Sequence, residues 1–308
     1  MAASSRKVIF AALTGNSLIA VTKFIAAGIT GSSSMLSEGI HSLVDTGNQL
    51  LLLLGMKRAR RPPDEQFPFG RGKEIYFWSF VVAILIFALG AGISVYEGIH
   101  HLQHPREMES PLINYIVLGA AMIFEGAACF FALREFNKVR GNLGFLEAIH
   151  RSKDPTMFVV LFEDVAAMAG LVVAFLGVFL TQFTGLLYFD GTASIIIGLI
   201  LAVAAIWLAY ETKGLLIGES ADPELVRSIR QMVQEHPAIE RIIHLFTLHM
   251  GPEFVLVTLT VDFTDSLAAG EVEQIIGELN RRIKEAHPVV KRVFIEAESW
   301  QPRAAAQG

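Results

Sequence analysis

Six stretches of the chain are apolar over about 20 residues or more, near 8–29, 34–56, 75–99, 111–133, 157–180 and 191–213. A hydrocarbon core of roughly 30 Å takes about 20 residues of helix to cross. Within it every backbone N–H and C=O must be satisfied by the chain itself, so such stretches fold as helices. The expectation is a membrane α-helical protein with six transmembrane helices. Composition agrees: of 308 residues 53% are hydrophobic and 18% charged, and the mean hydropathy is +0.49. That is too apolar for an ordinary soluble domain. Cys129 is the single cysteine, which excludes a disulfide framework and a cysteine-rich metal site. The opening "MAASSRKVIF" carries no cleavage-site pattern and reads as the start of the first helix.

Lys and Arg set the orientation. Arg6 and Lys7 precede the first span. Lys57, Arg58, Arg60, Arg61, Arg71 and Lys73 lie between the second and third. Arg134, Lys138, Arg140, Arg151 and Lys153 lie between the fourth and fifth. The connections "TGSSS" and "TQFTGLLYFDGT" have none, and the third-to-fourth has Arg106. The asymmetry predicts an integral, multi-pass protein with both termini cytoplasmic. With no targeting segment visible, a bacterial inner (plasma) membrane is the expected compartment.

The character changes near Ala221. "DPELVRSIRQMVQEHP" and "AGEVEQIIGELNRRIKEAHP" space their apolar residues as amphipathic helices. "RIIHLFTLHM", "EFVLVTLTVDF" and "VKRVFIEAE" read as strands, the first two joined by a hairpin at "GPE". The order αββαβ predicts a small cytoplasmic ferredoxin-like domain. The domains are then 1–218 for the membrane part, 219–300 for the αββαβ part, and a disordered tail, 301–308.

Polar residues interrupt the second span. In "SEGIHSLVDTGNQ", His41 and Asp45 are i and i+4, on one helix face about 6 Å apart. Glu38 and Asn48 extend that face. An ionised carboxylate at this depth costs several kcal/mol unless it is paired or binds a cation. Imidazole plus carboxylate suits zinc, and also iron, manganese or cobalt. The alternative is hydrogen bonding between helices with the acids protonated. A second acid pair, Glu163 and Asp164, lies about two turns into the fifth span, and antiparallel packing can bring it to the depth of Asp45. Adjacent residues point about 100° apart, so one binds while the other pairs elsewhere or relays protons.

At this point the chain resembles the cation diffusion facilitator family of metal/proton antiporters. The residues that carry the likeness are "HSLVD" (41–45), "FPFGRGK" (67–73), the acid in the fifth span, "FDGTASIIIGLIL" (189–201) and "GES" before the αββαβ part. The resemblance covers nearly the whole chain. It implies a homodimer in which each protomer carries a transport site between helices two and five. His41 and Asp45 match the first ligand pair and Asp164 the second acid. Val160 stands where a second His would complete the set. "FEDVAAMAG" and "DTGNQLLLLLG" look like the branch typified by zinc transporter nine. The fourth ligand is then Glu163, Asn48, Glu125 or a water, with Glu163 favoured. An oxygen-richer site leaves iron and manganese open beside zinc.

The implied function is secondary transport: export of a divalent cation from the cytoplasm in exchange for protons, with no further cofactor. Metal binding needs neutral His41 and ionised carboxylates, so it releases protons. The alternative is a membrane-anchored metal sensor without transport. An enzyme is not expected: no HExxH is present, and no nucleophile has a base beside it. Nucleic-acid binding is not expected either, since the basic residues flank the bilayer. Lys23 is expected to snorkel, or else to pair with an acid inside the bundle. His100, His101 and His104 read as an interfacial cluster or a release-side metal catch. His244, His249, Asp262, Asp265, Glu296 and Glu298 make no clean site by spacing, which favours dimerisation as the role of the αββαβ part.

Overall fold

The computed structural model describes residues 2–105, 111–141, 144–145, 147–148 and 153–300. The expected tail, 301–308, lies outside them. The elements in chain order are α1 (Ala2–Thr30), α2 (Ser33–Ala59), α3 (Glu74–Leu85), a π-helical turn (Ile86–Ala91), α4 (Gly92–Gln103), α5 (Pro111–Arg140), α6 (Pro155–Thr184) and α7 (Tyr188–Ile217). Then come α8 (Pro223–Gln234), β1 (Ile239–Gly251), β2 (Phe254–Phe263), α9 (Ala269–Ala286) and β3 (Val290–Ala297). They form two compact units, Met1–Arg58 with Glu74–Lys213, and Ala59–Lys73 with Gly214–Gly308.

Among the described residues, four helical segments are long and apolar enough to cross a membrane: Glu74–Gln103, Leu112–Lys138, Phe158–Thr184 and Tyr188–Ile217. The first runs from α3 through the π turn into α4. The other two expected spans fall short of that composition among the described residues. Asn16–Thr30 of α1 is a shorter apolar helix. In α2 a stripe of Ser, Glu, His, Asp and Asn along one buried face dilutes the apolar run.

Local signals explain the helix ends. Asp154 accepts from Thr156 N at 3.0 Å with Pro155 at the first helical position, and Gly185 closes α6 in the left-handed region at φ 72. Gly31, at φ 68, makes the tight turn between α1 and α2. Helices α4 and α7 touch through glycine. A Cβ on Gly98 would meet Gly191 O at 2.7 Å, and one on Gly198 would meet Ala91 O at 2.9 Å. Without hydrophobic drive between helices in lipid, such close backbone contact supplies the packing.

In the second unit the sheet order is β1-β2-β3, with β1 antiparallel and β3 parallel to β2. Val255, Val257, Leu259 and Val261 of β2 point to one face and are buried with Ile229 and Val233 of α8 and Leu279 and Ile283 of α9. Period-2 alternation thus sets which face the helices cover. Phe246, Thr258 and Phe294 are paired across the other face, where Phe246 is 63% and Phe294 52% exposed. The connection between α2 and α3 belongs to this unit. Phe69 meets Phe294 edge-on at 6.4 Å, and Gly72 lies against Met250 O with no room for a side chain. Arg71 pairs with Asp64 at 3.0 Å, and that hydrogen bond holds the Asp64 carboxyl below the usual carboxylate range.

Candidate functional site

Helix α2 is anchored at its start by a carboxylate from α7. Asp190 is buried, and its Oδ1 accepts from Ser32 Oγ at 2.8 Å and Ser34 Oγ at 2.5 Å. Its Oδ2 accepts from Ser33 N at 2.6 Å. A negative group at a helix N-terminus satisfies free N–H donors and complements the helix dipole. One turn on, the Ser37 and Ser194 hydroxyls bond to each other, and Ser194 Oγ donates to Ser94 O at 2.8 Å. These bonds hold the polar face of α2 against α4 and α7.

Along that face Glu38, His41, Asp45 and Asn48 are all buried, none more than 6% exposed. His41 Nδ1 stands 3.3 Å from Asp45 Oδ1, the i, i+4 pair the spacing predicts. Across the gap, Glu163 of α6 accepts from Asn48 Nδ2 at 2.7 Å and lies within hydrogen-bond reach of the Asp45 carboxyl. Several buried polar atoms here have no hydrogen-bond partner: both ring nitrogens of His41, Asp45 Oδ1 and Asn48 Oδ1. Buried polar groups are almost always hydrogen-bonded, so a cluster of orphans needs a reason. It fits a cation taken up between these atoms. Among the described residues no three His, Cys, Asp or Glu side chains are already gathered closely enough to cage a metal.

The two acids of α6 diverge. Glu163 is buried facing α2, whereas Asp164 is half-buried and acts electrostatically on Cys129 of α5. Glu125 of α5 is buried nearby and is felt by Asp45, Glu163 and Asp164. The site therefore gathers His41, Asp45, Asn48 and Glu163, with Glu125 and Asp164 at its border. The fan of 100° per residue keeps both α6 acids from facing one point, and the packing of α6 on α2 turns Glu163 to it.

Lys23 does not snorkel. It is fully buried, and its Nζ donates to Glu38 Oε2 at 3.1 Å and to Ser42 Oγ at 2.8 Å. Burial without a partner would be prohibitive for the ammonium, and Glu38 supplies the opposite charge. A cation in one apolar run and an acid in the next is the signal that could have found this pair. The histidines after α4 also separate. His101 is buried with Nε2 3.9 Å from Asp190 Oδ2, while His100 and His104 face each other with ring centroids 5.0 Å apart.

The family model described as the cation efflux transmembrane domain matches residues 9–217. A mitochondrial proton-coupled zinc antiporter of Xenopus laevis is 37% identical over 260 residues, covering 83% of this chain and 46% of that one. Its human counterpart is 35% identical over 259 residues, with the same coverage of 83% and 46%. The chain thus spans about half the length of these curated relatives. A manganese efflux system protein of Bacillus subtilis is 22% identical over 305 residues, covering 96% of each chain.

Proposed function

The chain belongs to the cation diffusion facilitator family, in the branch typified by zinc transporter nine, and on that premise we propose that it exchanges a divalent metal cation for protons across a membrane. Members of this family are transporters, not enzymes. Zinc is the favoured cargo because the relatives at 35–37% identity are named zinc antiporters. Iron and manganese remain candidates, since the site is rich in oxygen and a more distant relative is named for manganese efflux.

The observation that carries the reading is the buried His41–Asp45 pair opposite Glu163, with neither imidazole nitrogen hydrogen-bonded and Nε2 without any partner. His41, Asp45 and Glu163 are the proposed ligands. Asp164 is the adjoining acid that passes protons to and from them. A hydrogen bond between two carboxyl groups needs a proton, and a cation bound between Asp45 and Glu163 displaces it. Metal and proton then compete for the same oxygens. If the loaded forms open to opposite sides, exchange follows.

The wider arrangement belongs to the same proposal. Helices α1 and α2 complete a six-span domain over 1–218, with a ferredoxin-like domain over 219–300 and both termini on the Lys/Arg-rich side. Cargo leaves from that side, and the working unit is a homodimer. The expectation of a bacterial inner membrane draws no support from the relatives at 35–37% identity, whose names place them in mitochondria. The test is uptake of zinc, iron and manganese, side by side, into inside-out proteoliposomes with an imposed pH gradient. Gradient-dependent accumulation of one of them is the expected result. Tight binding of all three without flux would leave a metal sensor instead.

A further inference from the structure

Two residues of the bundle are fully buried, charged and unused by the exchange described above: Lys23 and Glu38. Their place is informative. Glu38 precedes Asp45 by seven residues on α2, and Gly170 follows Glu163 by seven on α6. The Glu38 Oε1 oxygen lies against Gly170, where any side chain would collide with it. Asp45 faces Glu163 in the same way. Glu38 therefore sits on the same antiparallel seam as the site, two turns towards the start of α2, with His41 between them on one face. The start of α2 follows the connection that carries no Lys or Arg, so Glu38 lies on the release side.

The pair leaves one buried carboxylate oxygen without a donor. Here Lys23 Nζ takes Oε2 at 3.1 Å, while Oε1 is buried and has no hydrogen-bond partner. The second bond of the ammonium goes to Ser42 Oγ at 2.8 Å, the neighbour of His41. Its charge is felt at His41 and Asp45 as well. Lys23 is thus a tethered cation beside the path of a transported one. We propose that Glu38 is a further ligand for the transported divalent cation, one turn past His41, and that the Lys23 ammonium competes with the cation for it. As the cation moves from Asp45 and Glu163 towards the start of α2, it meets a carboxylate that already has a monovalent partner. The competition keeps release from being trapped by a second tight site.

The inference rests on the transport reading, and zinc titration of the full chain in detergent tests it. Lys23→Gln frees Glu38, so zinc binds roughly tenfold more tightly, a coupling of the size seen for neighbouring residues, and gradient-driven turnover slows. In the Glu38→Gln background the same Lys23→Gln change tightens binding much less, because only its direct effect on His41 and Asp45 is left. Lys23→Arg holds the carboxylate through two N–H groups and weakens zinc binding. Unchanged affinity in Lys23→Gln, or equal tightening with and without the Glu38 carboxylate, overturns the inference. If Lys23→Gln does not fold, Lys23→Arg decides, and wild-type affinity there overturns it. Asp45→Ala in the same titration separates the two readings: binding lost there but unaffected by Lys23 changes defeats this inference and leaves the transport site standing.

Discussion

Asn48 of α2 donates from Nδ2 to Glu163 Oε1 of α6 at 2.7 Å, and both residues are buried. The bond holds the Glu163 carboxylate beside Asp45. Glu163→Gln keeps an acceptor for Asn48 but loses the charge that faces a cation. Zinc affinity in that variant falls by about tenfold or more, the loss of one charged ligand contact. Asp164→Asn, on the half-buried side, changes equilibrium affinity less than Glu163→Gln does. Titration of both variants checks the ranking, and the reverse order would assign the ligand to Asp164.

Proton competition sets the pH dependence. His41 binds metal only when neutral, and the carboxylates only when ionised. Falling pH therefore weakens zinc binding, by about tenfold per pH unit for each proton released. Zinc titrations in weakly buffered and strongly buffered solution count those protons. A dissociation constant that does not change between neutral and mildly acidic pH contradicts the shared-oxygen scheme.

Asp190 concentrates much of the polar anchoring at the start of α2. Asp190→Ala removes acceptors from Ser32 Oγ, Ser33 N and Ser34 Oγ in a buried place. The loss is about 1–3 kcal/mol, the range for a lost helix cap and for buried donors left unpaired. Asp190→Asn keeps one acceptor oxygen and loses less. Thermal melting in detergent reads both, and an unchanged midpoint for Asp190→Ala removes this anchor from the account.

The α4–α7 crossing tolerates no side chain. In Gly98→Val the Cβ alone meets Gly191 O at 2.7 Å and Ile195 N at 2.8 Å, which are backbone atoms and cannot rotate away. Overpacking of this kind destabilises by about 1–3 kcal/mol. The yield of monodisperse protein after extraction falls accordingly. A variant at exposed Ile123 of α5 serves as the neutral control.

Periodicity encodes the buried polar face of α2 and the alternation of the strands. His41, Asp45 and Asn48 stand out because i, i+4 and i+7 polar residues in an apolar run must share a buried face. The strands of the second unit follow from alternation along β2. What periodicity cannot carry is the partner across space. Lys23 is expected at an interface by its chain position alone, and only the packing of α1 on α2 shows the Glu38 carboxylate beside it. The choice between Glu163 and Asp164 is a rotation of 100°, set by how α6 packs on α2. The seat of Ala59–Lys73 in the second unit depends on Gly72 and Phe69 meeting Met250 and Phe294, residues far away in the chain. Asp190 reads as an acid near the start of a span, and its partners in "GSSS" lie more than 150 residues earlier.

The measurement that bears most directly on the central claim follows zinc and protons together in proteoliposomes, with a pH-sensitive dye trapped inside. The wild-type chain and Asp45→Asn are compared at equal protein content and verified folding. Exchange at the buried site gives zinc entry with coupled proton exit in the wild type and neither in Asp45→Asn. Zinc flux of wild-type size in Asp45→Asn, or zinc movement with no proton counterflow, would contradict it.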